Sequence, residues 1–220
     1  MMTDSKLMMT DNSIVNDPGL PYLRETEAAM RLTKEKAAEN RDAILAAAAR
    51  LFRERGVESV SVAEIMSAAG FTHGGFYNHF SSKEALAAEA CGAAFDQRAL
   101  FALDAAGEPK PLGRTVRQYL SLEHRDEPSG CPTAALVVDA ARQGGEVQAA
   151  YVEGIRDVLD ALARAKAGGK PTRAERDRAA RTLSELVGAL LIARAVRDED
   201  PELSDAVLAA SRKGLSDEAG

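Results

Sequence analysis

The stretch FTHGGFYNHFSSKEAL, residues 71–86, decides the fold of this 220-residue chain. Phe76 and Phe80 are four residues apart, so they share one face of a short helix and point into a small core. Thr72 lies where a helix cap is expected, and Ser81-Ser82-Lys83-Glu84 has the form of a capping box. The stretch therefore predicts a short capped helix that is followed at once by a longer one.

Two more helices are predicted upstream of this stretch. An amphipathic pattern indicates a helix from about Thr33 to Arg55. Ser61 and Glu64 then form a capping box, which opens a short helix that stops at Gly70. Three consecutive helices, with short central members and a glycine at the turn, are the organisation of a helix-turn-helix unit.

The segment from Asn40 to Ala90 resembles the DNA-binding domain of TetR-type regulators, named for the tetracycline repressor. The stretch from Phe71 carries most of the resemblance, because it combines a cap, Gly-Gly, an aromatic pair and a capped next helix at fixed offsets. The resemblance implies a homodimeric transcriptional repressor. Each subunit would place its third helix, at Thr72 to Phe80, in the major groove of one half-site of a palindromic double-stranded operator.

Nine residues in and around that helix are the predicted DNA contacts. They are Ser61, Thr72, His73, Gly74, Gly75, Tyr77, Asn78, His79 and Lys83. Ser61 and Thr72 are caps by spacing, and groups at a helix N-terminus can also hold a phosphate. His79 and Lys83 fit phosphate contacts, whereas His73 and Asn78 carry donors and acceptors suited to base edges. For His73 and Asn78, a solvent or phosphate role stays open.

Gly74, Gly75 and Tyr77 each allow two interpretations. The glycines cost the helix about 1 kcal/mol each relative to alanine, which makes sense where the backbone must approach base edges closely. The alternative is that they only form a loose turn. The family places the tyrosine that matches Tyr77 on a phosphate, and the alternative is a half-buried core aromatic.

The rest of the pattern is helical, and the predicted fold class is all-α. We expect a flexible N-terminal extension over 1–30, the helix-turn-helix DNA-binding domain over 31–90, and a larger helical effector-binding and dimerisation domain over 91–220. Helices of this larger domain are expected over about 112–123, 132–144, 146–166, 172–197 and 200–214. In residues 91–220 the resemblance to the family is limited to the all-helical class.

The last two predicted helices carry the expected dimer interface. The helix over 172–197 is polar at first and then apolar around its circumference, which indicates that it buries more than one face. In the family, two C-terminal helices from each subunit form a four-helix interface. The residues assigned to it are Leu183, Val187, Leu190, Leu191, Leu203 and Val207. The alternative is an ordinary buried core helix in a monomer.

A pocket for an unknown small-molecule effector is expected among the helices from about 112 to 166. Its candidate lining is Leu120, His124, Cys131 and Tyr151, which equally fit a core. Cys131 precedes Pro132 at a predicted helix start, where partial positive charge stabilises a thiolate. A thiol-based sensor is therefore an alternative, against the simpler interpretation that Cys131 is a small buried residue filling a gap.

Composition and charge narrow the function classes. The formal net charge is −6, so DNA binding must depend on a local face and not on a basic chain. Two cysteines form no disulfide framework or zinc spacing, which fits a cytoplasmic protein without a cofactor. Neither a membrane-length apolar run nor an enzymatic motif occurs. The acidic charge slightly favours one other class, a small-molecule-binding or enzymatic helical protein whose helix-turn-helix serves only packing.

Overall fold

The computed structural model describes residues 21–98, 111–127, 130–165 and 170–217, and the side chains within them except at 21–32, 97–98 and 217. These residues form ten α-helices and one 3-10 helix, without a strand, which confirms the all-α prediction. The elements are α1 (Pro21–Arg55), α2 (Val62–Ala68), the 3-10 helix (His73–Asn78), α3 (Lys83–Arg98), α4 (Leu112–Tyr119), α5 (Leu122–Asp126), α6 (Pro132–Ala135), α7 (Val137–Gln143), α8 (Gly145–Arg164), α9 (Arg173–Val196) and α10 (Pro201–Asp217).

Residues 1–42 and residues 43–220 form two separate units. In the first unit, Lys36 and Glu39 make an exposed ion pair of 2.9 Å along α1. α1 begins at Pro21, so the prediction of a start at Thr33 was wrong, and residues 21–30 of the expected flexible extension are helical. Ala, Glu, Arg and Met in this segment favour a helix, and proline is tolerated in its first turn. Residues 1–20 of that extension lie outside the described residues.

In the second unit, the ends of the early helices follow local capping chemistry. α1 ends at Gly56, whose φ of +81° suits a residue without a Cβ and whose N–H donates to the Phe52 carbonyl at 2.8 Å. The capping box at Ser61 is confirmed, because its Oγ accepts from the Glu64 N–H at 3.2 Å. The box predicted at Ser81 was wrong by one residue, since Ser82 caps α3.

Two predicted helices are each divided in two. Ser121 interrupts the helix expected over 112–123, because its Oγ accepts from the His124 N–H at 3.1 Å and so begins α5. The helix expected over 132–144 starts at Pro132 as predicted but is broken at Leu136, between α6 and α7. α10 continues through Gly214, where we expected it to end.

Three apolar clusters hold the described part of the second unit together, the smallest of them between α8 and α9. The first joins the helix-turn-helix residues to the body, because Leu136 and Val147 are buried in the same cluster as Phe52, Phe76 and Phe80. α3 begins beside the 3-10 helix and ends in the body, so the predicted domain boundary at residue 90 falls inside it. The second cluster packs α4 against α9 and α10, with Leu190 and Leu208 fully buried at its centre.

Candidate DNA-binding surface

A short 3-10 helix stands where the third helix was predicted, and two aromatic side chains anchor it. Phe76 has no exposed surface, and Phe80 is buried beside it with the ring centroids 5.9 Å apart. Both rings belong to the first apolar cluster, as their spacing predicted. This anchoring fixes the outward direction of the residues that lie between and before them.

The surface of this segment carries most of the predicted DNA contacts. Six of these residues are exposed: Ser61, Thr72, His73, Gly74, Tyr77 and Asn78. The other three, Gly75, His79 and Lys83, are half-exposed. Thr72 is the N-cap residue but its side chain makes no capping hydrogen bond. All nine predicted residues are therefore at least partly accessible, along the chain from the start of α2 to the start of α3.

Tyr77 is the most exposed large side chain of this surface. Its exposed fraction is 71%, so it is not a half-buried core aromatic. Its ring packs edge-on against Phe76, with the centroids 5.2 Å apart and the planes at 82°. The hydroxyl makes no hydrogen bond within the described part of the chain. An exposed aromatic held by a buried neighbour presents a fixed hydroxyl to an external partner.

The two glycines of the 3-10 helix are not required by the fold of the chain. A Cβ at Gly74 would meet nothing within 4 Å, and one at Gly75 would lie 3.6 Å from Cε of Met66, an ordinary contact distance. Neither glycine is among those with a positive φ. Since packing and backbone both tolerate a side chain here, the glycines fit the close approach of something outside the chain.

An ion pair fixes the edge of this surface at the start of α2. The pKa of Glu64 is lowered to about 2, chiefly because its carboxylate accepts a hydrogen bond from the Ser61 backbone N–H and also bonds Arg55. Arg55 Nη2 lies 2.6 Å from Glu64 Oε1. Arg55 is thus paired within the chain. The basic groups among the predicted DNA contacts are Lys83, His73 and His79.

The residues predicted to line an effector pocket are buried or half-buried in this structure. Leu120, His124 and Cys131 are buried, and Tyr151 is half-buried with its hydroxyl donating to the Thr133 carbonyl at 2.7 Å. His124 Nδ1 lies 2.6 Å from the carbonyl oxygen of Tyr119.

Two clefts lie elsewhere in the described part of the chain. The larger encloses about 810 Å³ including open solvent, and the smaller about 270 Å³. The larger is lined by Arg53, Glu54, Arg125, Asp126, Glu127, Ala135, Arg194 and Arg197. The predicted effector residues line neither cleft.

The two cysteines are both buried and reduced. Burial raises the pKa of the Cys91 thiol to about 11, and the charge of Asp139 raises it further. Burial also raises the pKa of Tyr119, and the nearby Cys131 raises it further. Cys131 precedes α6 as predicted, and its exposed fraction is 4%. The thiol-sensor alternative stays a prediction, and in this conformation the Cys131 sulfur is shielded from an oxidant.

The predicted dimer residues divide into two groups. Leu190 is fully buried within its own chain and Leu183 is 8% exposed, so both side chains pack in the core of the subunit in this structure, and their assignment to the interface stays a prediction. Leu203 is 47% exposed, while Val187, Leu191 and Val207 are half-buried.

Sequence reasoning missed Ile192, which is 54% exposed on α9. Its spacing of four residues from Gly188 was the available signal, but an all-round apolar helix did not show which face was free.

Two features are absent from the part of the chain that the structure describes. Among those residues no helix is both long and apolar enough to cross a membrane. No group of three or more His, Cys, Asp or Glu side chains is placed to hold a metal ion in that same part of the chain.

The chain is similar to known proteins in two ways, locally and along most of its length. Residues 44–90 match the family model described as bacterial regulatory proteins, tetR family. The HTH-type transcriptional repressor BepR from Brucella suis biovar 1 (strain 1330) is 52% identical over 54 residues, 24% of this chain and 26% of BepR. The chain thus spans about a quarter of the length of that relative.

The longer similarities extend beyond the helix-turn-helix segment. The uncharacterized HTH-type transcriptional regulator Rv0196 from Mycobacterium tuberculosis (strain ATCC 25618 / H37Rv) is 30% identical over 169 residues, 73% of this chain and 87% of Rv0196. The crystal structure of reduced NemR from E. coli superposes with a TM-score of 0.65 at 22% identity, covering 81% of this chain and 96% of that one. The likeness to NemR concerns the fold alone.

Proposed function

The chain belongs to the TetR family of bacterial transcriptional regulators, and from that membership we propose that it represses transcription as a homodimer on a palindromic operator. A small-molecule effector releases it. Each subunit places the segment Thr72 to Phe80 in the major groove of one half-site.

One observation carries this proposal. Tyr77 is 71% exposed although it is aromatic, and it is held rigidly beside buried Phe76. A helix-turn-helix that served only packing would turn its aromatic side chains inward. The exposed tyrosine, together with two glycines that the fold does not need, supports an external partner at this face.

The contacts divide by the chemistry of each side chain. Tyr77, His79 and Lys83 contact phosphates, and His73 and Asn78 read base edges. The chain has a formal net charge of −6, so this local surface and not the global field must attract DNA.

A second copy of the chain covers the exposed face of α9 and α10. Ile192 and Leu203 are 54% and 47% exposed there, next to half-buried Val187, Leu191 and Val207. Small residues such as Gly188 allow helices of the two subunits to approach closely. Burying this face in a four-helix interface removes the apolar surface from water, which favours association.

The effector enters the cluster around Tyr119, His124 and Cys131. These groups are packed in the present conformation, so ligand binding requires a conformation in which the cluster is open. An effector that binds the open conformation more tightly shifts the population toward it, and release follows where that conformation misplaces the DNA-binding segments.

Selection of duplexes from a random pool tests the proposal directly. We expect enrichment of a palindrome whose half-site centres are about one helical turn apart, and an affinity that falls steeply with salt as counterions are released. Sequence-independent recovery from the pool would contradict the operator. A chain that binds no duplex at all would favour the other class, a helical small-molecule-binding protein or enzyme.

A further inference from the structure

Asp139 on α7 makes a long-range hydrogen bond to the DNA-binding segment. Its Oδ1 accepts from the backbone N–H of Val57 at 2.9 Å, across 82 positions of the sequence. Val57 follows Gly56, at the turn between α1 and α2. Both carboxylate oxygens lie 3.5 Å from the point where a Cβ of Gly56 would stand. That is an ordinary contact distance, so the positive φ of Gly56, and not a lack of space, is what calls for glycine beside the carboxylate.

Asp139 lies in the first turn of α7, where the dipole of its own helix favours a carboxylate, but its side chain faces the end of α1. A carboxylate is disfavoured near a helix C-terminus, where the helix dipole is negative. The Val57 N–H, however, belongs to a residue that is only 4% exposed, and a buried amide without an acceptor is costly. Asp139 satisfies this amide, and a charged acceptor makes the hydrogen bond stronger than a neutral one would.

A second connection between the same two parts is α3 itself. This helix runs from Lys83, beside the 3-10 helix, into the body, where the Phe95 ring lies on Gly154 so closely that a Cβ there would collide with it. The first apolar cluster joins the two parts as well, but apolar packing has no preferred direction. The hydrogen bond at Val57 adds a directional contact at a different turn of the chain.

We propose that Asp139 is a positioning residue for operator binding: by holding Val57 it fixes the orientation of the helix-turn-helix on the body. In the dimer this orientation sets the separation of the two 3-10 helices, and hence the half-site spacing that both can reach together. The inference rests on the proposed function, because it concerns how a dimer fits its palindrome.

The same segment also links Val57 to the predicted effector region. α7 follows α6 directly, and α6 begins just after Cys131. Within α6, the Thr133 carbonyl accepts a hydrogen bond from the Tyr151 hydroxyl. Asp139 follows Cys131 by eight positions, across α6, the break at Leu136 and the first turn of α7. A shift of this short segment on effector binding is therefore passed to the turn at Val57.

The test compares Asp139→Ala with Asp157→Ala, a matched truncation of an exposed aspartate on α8. Affinities are measured for the selected palindrome, for versions with one to three base pairs added or removed between the half-sites, and for a single half-site. We expect Asp139→Ala to bind the best palindrome about tenfold more weakly and to show a flatter spacing profile. Its single half-site affinity stays unchanged, and Asp157→Ala behaves as wild type.

The spacing profile separates positioning from stability. Loss of folded protein would weaken binding to every duplex by the same factor and leave the preferred spacing as it was. A folded Asp139→Ala protein with the wild-type profile overturns the proposal. Should that variant fail to fold, Asp139→Glu keeps the charge and moves the carboxylate by one methylene, and an unchanged profile again overturns it. Wild-type protein without any spacing preference would refute the proposed function itself.

Discussion

Replacing Tyr77 by phenylalanine removes one oxygen atom from the candidate DNA-binding surface and nothing else. The ring keeps its edge-on contact with Phe76. The lost hydroxyl has no hydrogen-bond partner within the described residues and belongs to a side chain that is 71% exposed. We therefore expect the free energy of unfolding to change by no more than about 0.5 kcal/mol, the usual range for a surface substitution.

The expected loss in DNA affinity is much larger than the loss in stability. A hydrogen bond to a charged group such as a phosphate contributes about 1.5–3 kcal/mol. With two subunits bound, the lower figure gives about 3 kcal/mol per dimer, or roughly a hundredfold in the dissociation constant. No charge is removed, so the slope of log affinity against log salt stays the same, and specific and non-specific duplexes lose affinity together.

Fluorescence anisotropy with labelled duplexes at several salt concentrations measures both quantities, and urea titration measures stability. Tyr151→Phe is the matched control, because its hydroxyl donates to the Thr133 carbonyl inside the chain at 2.7 Å. That variant should lose about 1 kcal/mol of stability and far less DNA affinity than Tyr77→Phe loses. If Tyr77→Phe binds like wild type, or if the two variants exchange their effects, the phosphate contact assigned to Tyr77 is refuted.

Three further predictions concern other parts of the chain. Lys83→Ala should reduce the slope of log affinity against log salt by about 0.9 per subunit without altering base preference. Asn78→Ala should relax base preference in a random-pool selection. The opposite pair of results would contradict the division into phosphate and base contacts. Ile192→Asp should give a folded monomer by light scattering, while Leu190→Asp should unfold the chain because its side chain is fully buried; a dimeric Ile192→Asp protein would show that the interface lies elsewhere. Glu64 has a pKa lowered to about 2 in the folded chain. The stability that ionised Glu64 adds to the folded chain is complete above its ordinary pKa of 4.5 and is lost as the pH falls toward 2. Glu64→Gln should therefore flatten the decline of the urea midpoint between pH 5 and 3. An equal decline in the variant and the wild type would count against the pairing of Glu64 with Arg55.

Several helix starts and ends were predicted from the sequence because they depend on residues that are close along the chain. Capping at Ser61 and the proline start of α6 each depend on residues within one or two turns. The same range explains why Phe76 and Phe80 were correctly placed in the core. Errors of local reasoning occurred where two local signals competed.

The competition is visible at three places. Ser121 began a new helix inside a continuous amphipathic pattern, because its side-chain oxygen offered the next turn a cap. Ser82 replaced Ser81 as the cap of α3 by one residue. Before Thr33, helix-favouring residues outweighed the lack of an apolar stripe, and α1 began at Pro21.

The sequence by itself determined the family, the all-helical class and the segment that we propose to face DNA, since each depends on residue spacings of three or four. Only the tertiary structure decided which apolar side chains stay free. Leu190 and Ile192 stand two positions apart on one helix, and α4 and α10 cover the first while leaving the second exposed. It also decided that Asp139 meets Val57, 82 residues away. Such a contact depends on how whole helices pack, and no local pattern encodes that arrangement.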